Sequence, residues 1–92
     1  MVLKYVRAAT REFTNEQWFP HVVEVALPPK GFGSAYAHIQ VFHAKAGIEE
    51  KHGRGRHHKK QQYVRWCFAD PSNASAFQTL FGGTLIKKTD SF

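Results

Sequence analysis

The chain has 92 residues, 13 of them Lys or Arg against seven Asp or Glu, and a formal net charge of +6. That length sets one domain as the expectation and excludes a two-lobed enzyme; a composition 42% hydrophobic and 14% aromatic excludes wholesale disorder. The single cysteine, Cys67, excludes an internal disulfide and a cysteine-based metal knuckle. No apolar run approaches the roughly 18–20 residues of a membrane span. The opening MVLKYVRAATREF has no apolar signal core, so a soluble cytoplasmic protein is expected.

Residues 2–9, VLKYVRAA, are rich in β-formers and predict a strand. Thr14-Asn-Glu-Gln17 has capping-box form, and Pro20 limits the helix it opens to a short turn. Trp18 and Phe19 are expected to anchor that turn on the core. Residues 21–27, HVVEVAL, predict a strand ended by Pro28-Pro29. Its Val23, Val25 and Leu27 share one face, and Val22, Glu24 and Ala26 the other, wetter one.

After the loop KGFG, Ser34 is placed as the N-cap of a helix running to about Ala46, with Ala35, Ile39, Phe42 and Ala46 as its buried stripe and Gly47 as its left-handed cap. His38 and His43 are expected at its surface or boundary. Residues 49–62 break every periodicity: a short strand is predicted at about 48–52, then an exposed, mobile basic hairpin or loop. Residues 63–69, YVRWCFA, predict the strongest strand, with Val64, Trp66 and Phe68 toward the core and Tyr63, Arg65 and Cys67 away from it. Asp70-Pro71 is an N-cap followed by proline at the first helical position. A helix over 71–81 follows, with Ala74, Phe77, Leu80 and Phe81 on its apolar side and Gly82-Gly83 ending it. Residues 84–88 predict a last short strand, and 89–92 a tail.

These elements predict an α+β fold in two layers, with both helices on one face of a single sheet. From residue 21 the order is β-α-β-β-α-β, the ferredoxin-like split motif, preceded by an extra N-terminal strand and short turn over residues 1–20. The stretch VEVALPP with a helix ending at AGI, and the stretch QQYVRWCFADPSNASAFQTLFGG, resemble RNA-recognition-motif domains over residues 21–88. The resemblance implies that Tyr63 stands at a base-stacking position and that Arg65 stands where a second aromatic is usual. The pattern departs at Gln62, where that family carries glycine, and at Glu24, in a first strand without its aromatic.

The charge is concentrated. Residues 51–60 hold five of the 13 cations and none of the seven acids, leaving eight cations and seven acids elsewhere. Lys51, Arg54, Arg56, Lys59 and Lys60 are the groups that neutralise phosphates and release counterions, and the intervening glycines let the segment follow a backbone. His52, His57 and His58 add charge on protonation. With Tyr63 and Arg65 on the adjoining sheet face, these residues predict a non-enzymatic binder of RNA, DNA or another polyanion.

The rivals are a homodimeric protein–protein module, pairing through a strand edge or sheet face, and a small metal-independent ribonuclease-type toxin using the histidines as acid and base. No metal site, cofactor or membrane contact is expected. The histidines lack a matching second pair of ligands, and Cys67 has no base beside it in the sequence.

Overall fold

The computed structural model describes the backbone of residues 3–86 and the side chains of residues 11–86. It contains α1 (Leu3–Trp18), β1 (His21–Ala26), α2 (Ser34–Ala46), β2 (Arg56–His58), β3 (Gln61–Phe68), α3 (Pro71–Phe81) and β4 (Thr84–Ile86). The strands form one sheet in the order β2-β3-β1-β4, and every neighbouring pair is antiparallel. Among the described residues the fold is therefore α+β, with three helices and a four-stranded sheet. Among the described residues no helix is long and apolar enough to cross a membrane.

The core lies between one sheet face and the pair α2 and α3. Val23, Ile39, Trp66, Phe68, Ala74 and Phe77 form a buried cluster, and Val25, Phe42, Val64 and Phe81 pack against it. Alternation along β1 and β3 delivers Val23, Val25, Val64, Trp66 and Phe68 to this face. Phe77 is fully buried and meets Phe42, Phe68, Trp66 and Phe81 at centroid separations of 4.8–5.5 Å. Burying each such ring contributes about 2–3 kcal/mol.

The start of the last helix follows its sequence signals. Asp70 Oδ1 accepts hydrogen bonds from the Ser72 N–H and hydroxyl at 2.9 and 2.8 Å, Pro71 opens α3, and Gly82 caps it. Gly47 caps α2 in the left-handed conformation, where glycine carries no Cβ penalty. Ser34 is the first residue of α2 rather than its cap, a place taken by Gly33.

Several expectations are corrected. The N-terminal segment is a helix, not a strand and short turn. The stretch RAATREFTNEQ holds mostly good helix formers and neither glycine nor proline, so helix propagates through Thr14 until Pro20 stops it. Trp18 does not anchor the core; it is 73% exposed, while Phe19 is half-buried. On α2 the buried pair is Ile39 and His43, and Ala46 is exposed. His43 is admitted because its Nδ1 bonds the Ile39 carbonyl at 2.9 Å and its ring stacks on Phe68. Leu80 lies outside the core on α3, at 65% exposure. The predicted tail and the last residues of the predicted final strand lie outside the described residues.

The short strand expected at 48–52 is Arg56–His58 instead. Residues 51–53 nevertheless run beside β3. The Cys67 N–H donates to the Lys51 carbonyl at 2.8 Å, the Gly53 N–H donates to the Arg65 carbonyl at 3.0 Å, and His52 bridges Trp66. Pairing resumes at Arg56 opposite Tyr63. Residues 53–55 thus face only residues 64–65, which leaves one extra residue on the edge segment in the manner of a β-bulge. Because side chains alternate, that extra residue reverses the faces: His52 lies on the core side with Trp66, and Arg56 lies on the opposite side with Tyr63.

Candidate nucleic-acid interface

The second face of the sheet carries Val22 and Glu24 from β1 and Tyr63, Arg65 and Cys67 from β3. Val22, Glu24 and Cys67 are all buried, so this face is not the wetter one expected of it. The register sets Glu24 directly opposite Arg65. Arg65 Nε donates to Glu24 Oε2 at 3.1 Å, and the bulge brings Arg56 to the same carboxylate. Arg56 Nε and Nη2 donate to Glu24 Oε2 and Oε1 at 3.0 and 2.8 Å, a two-pronged contact that fits the planar guanidinium. The Arg56 guanidinium also lies 4.2 Å from the Tyr63 ring centroid.

The last turns of α1 reach this face. Arg65 Nη1 donates to both Glu16 oxygens at 3.1 and 3.2 Å, and the Arg54 N–H donates to Glu16 Oε2 at 2.6 Å. Asn15 Nδ2 donates to the His52 carbonyl at 2.9 Å, and the Arg54 guanidinium lies 5.3 Å from the Phe13 ring. Glu16 and Glu24 thus stand between three arginines. The hydrogen bond from Arg56, reinforced by Arg65, holds Glu24 below the usual carboxylate range, although burial pushes the other way.

The remaining cations divide in two. Lys51 pairs with Glu49 at 2.9 Å, and His52 Nε2 meets Glu50 Oε2 at 2.9 Å. Glu50 also accepts from Trp66 Nε1 at 2.8 Å. Burial pushes Glu50 up, but the hydrogen bond from Trp66 and the neighbouring His52 leave it lowered overall. His57, His58, Lys59 and Lys60, by contrast, are all exposed, and among the described residues no ion pair involves them.

Lys59 and Lys60 form the two-residue turn of the β2–β3 hairpin, with φ of 51° and 67°. A hairpin turn with both central residues at positive φ favours Asn-Gly, and two lysines there carry a conformational cost. Beside the tip, Leu27, Pro28, Pro29, His57, Lys60 and Gln62 line a cavity of about 250 Å³.

The ten residues singled out by sequence are therefore spread over three settings. Arg54, Arg56 and Arg65 meet Glu16 or Glu24 beside the second sheet face, where Tyr63 lies against Arg56. Lys51 and His52 meet Glu49 and Glu50 at the start of the segment. His57, His58, Lys59 and Lys60 gather at the tip. The segment is strand and hairpin along most of its length rather than a loose loop.

Sequence reasoning misses Glu16 and Glu24 as the counter-charges. Glu24 is within its reach, since alternation places both Glu24 and Arg65 off the core face. Glu16 is not, because the local pattern around it predicts a strand and a short turn in place of the helix that carries it. Cys67 is buried, and burial pushes its thiol up to about 12, so it is no nucleophile at neutral pH. His57 and His58 are consecutive strand residues and alternate in direction, which does not bring two imidazoles to one reacting atom.

No family model, curated protein or solved structure matches the chain.

Proposed function

We propose that this chain is a non-enzymatic domain of the ferredoxin-like type that binds nucleic acid through the tip of its β2–β3 hairpin. The fold part of this reading is supported by the connections. From β1 onward the order is β-α-β-β-α-β; β3 lies between β1 and β2, and β1 lies between β3 and β4. Each helix thus joins strands that another strand separates, which is the split arrangement.

The observation that carries the functional part is the Lys59-Lys60 turn. Both residues hold positive φ, where lysine is disfavoured, at the end of the hairpin farthest from the Glu16 and Glu24 carboxylates along the chain segment 51–60. A local rule broken at an exposed, charged position points to a role in binding. Lys59 and Lys60 supply phosphate contacts, and His57 and His58 extend the patch. The cavity against Pro28 and Pro29 offers an apolar wall beside it. Arg54, Arg56 and Arg65 hold the hairpin in place instead of meeting phosphate, which narrows the binding surface relative to the whole basic segment.

Fluorescence anisotropy with labelled oligonucleotides at two salt concentrations tests the reading. Affinity is expected to fall with salt, and the slope of log K against log salt to drop by about 2 in the Lys59→Gln/Lys60→Gln protein, near one unit for each phosphate no longer neutralised. Absence of binding at low salt, or binding that this double substitution leaves unchanged, overturns the reading.

A further inference from the structure

We propose a second interaction surface, on the opposite side of the molecule from Glu16 and Arg65: the trough between α2 and α3 receives an acidic amphipathic helix of another protein. The trough has a volume of about 490 Å³ and is lined by Val41, Phe42, Leu80 and Phe81, with His38 and Lys45 beside them. Val41 is 50% exposed and Leu80 65%. Two large aliphatic side chains left in water on adjoining helices, over the aromatic edges of Phe42 and Phe81, form a contiguous apolar patch and not scattered surface residues.

The spacing on α2 gives the patch a direction. His38, Val41 and Lys45 follow one another at i, i+3 and i+7, so they share one ridge of the helix. The two polar side chains lie about 10 Å apart along the helix axis, one on each side of the aliphatic one. A docking helix meets such a ridge with an apolar residue against Val41 and Leu80 and a carboxylate toward each end, the helix-in-groove mode.

The charge balance selects the sign of the partner. Neither α2 nor α3 contains an Asp or Glu, so nothing along either wall repels a carboxylate, and the ammonium of Lys45 attracts one. The same balance argues against a second copy of this chain. Of the seven acids, Glu16, Glu24, Glu49 and Glu50 are held in internal ion pairs, and Asp70 is held in the cap of α3. A second copy has few carboxylates left to offer, so the occupant is a different, acidic protein.

The test is an NMR titration of the 15N-labelled protein with a synthetic amphipathic peptide of about four helical turns carrying Leu on one face and Glu on the other. A peptide with Lys in place of each Glu is the control. The acidic peptide is expected to shift the amides of residues 35–45 and 77–82. Its affinity should fall about tenfold in Leu80→Glu, which adds a repelling charge to an exposed position and leaves the fold intact by circular dichroism, and less in Lys45→Gln. Equal shifts from both peptides, or none, overturn the proposal. So does concentration-dependent dimerisation in sedimentation equilibrium that Leu80→Glu abolishes, which assigns the trough to a second copy. Large shifts at Val41 and Leu80 on deleting residues 87–92 assign it to the chain's own C-terminal segment and overturn it as well.

Discussion

A Cβ built on Gly53 would stand 2.5 Å from Oε2 of Glu16 and 2.8 Å from its Cγ, so the Glu16 carboxylate occupies the room that the missing side chain leaves. That carboxylate is tied to Arg65 and to the Arg54 N–H, and its side chain is only 12% exposed. Gly53→Ala must therefore displace a held carboxylate and not a free side-chain end. It is expected to destabilise the protein by about 1–3 kcal/mol, the range for stranding a hydrogen-bonded charged group. Chemical denaturation of Gly53→Ala, Glu16→Ala and the double variant checks this. The double variant should cost clearly less than the two single changes added together, because both remove one arrangement.

The extra residue among 53–55 sets the face on which Arg56 emerges. Deleting Gly55 removes the bulge: residues 53 and 54 are drawn into regular pairing with 65 and 64, Arg56 keeps its place opposite Tyr63, and the Arg54 N–H is pulled from Glu16 into the ladder. The Gly55 deletion is expected to lower the melting temperature by roughly 5–10 °C. Gly55→Ala should do far less, since an added Cβ meets only the Tyr63 carbonyl, at 3.7 Å. Equal losses in the two variants would show that residue identity, not the extra residue of the bulge, matters at this position.

Stability should decline in acid through Glu24. Its folded-state pKa lies below the ordinary 4.5, chiefly because Arg56 donates to it and Arg65 adds to this. A group lowered on folding contributes stability that is fully present above its unfolded value and is lost as pH falls through the folded one. Thermal melts of the wild type should therefore be flat near neutrality and fall below about pH 4.5. Glu24→Gln should be less stable at pH 7, by about 2 kcal/mol. That is below the figure for a fully buried pair, because the Arg56 side chain is 42% exposed and keeps water. It should also lose part of the acid dependence.

Stability and binding are expected to separate at the hairpin tip. Replacing Lys59-Lys60 by Asn-Gly suits the positive φ of both residues and should stabilise the hairpin by roughly 1 kcal/mol. The same change removes the two tip ammonium groups and should weaken oligonucleotide binding at low salt. Denaturation midpoints and anisotropy on this one variant read both effects. A protein that gains stability and keeps its affinity would show that the tip lysines do not meet the ligand.

Much of the two-layer core is legible in the sequence because strong alternation and strong caps agree there. Val64, Trp66 and Phe68 alternate on β3, and Asp70-Pro71 opens α3 where capping chemistry puts it. The first helix is obscured because Val2, Tyr5 and Val6 favour strands locally and mask the helix formers Leu3 and Lys4 between them. Leu80 reads as core at helical spacing from Phe77, yet it stays 65% exposed, lining the open trough between α2 and α3. The setting of the basic segment is hidden by the bulge. One additional residue near Gly53 and Gly55 has no periodic signature, but it decides that Arg56 meets Glu24 and Tyr63.

The bulge also makes the two borders of the sheet unlike each other. On the β2 side the outermost backbone is interrupted at residues 53–55, flanked by arginines and closed by a lysine turn, so an incoming strand finds neither a continuous ladder nor a neutral surface. On the β4 side the border is Thr84–Ile86, a β-rich run with Leu85 40% exposed. Strand-by-strand growth of the sheet, whether in aggregation or in swapping between copies, is thus directed to the β4 border and turned away from the hairpin that carries the charge.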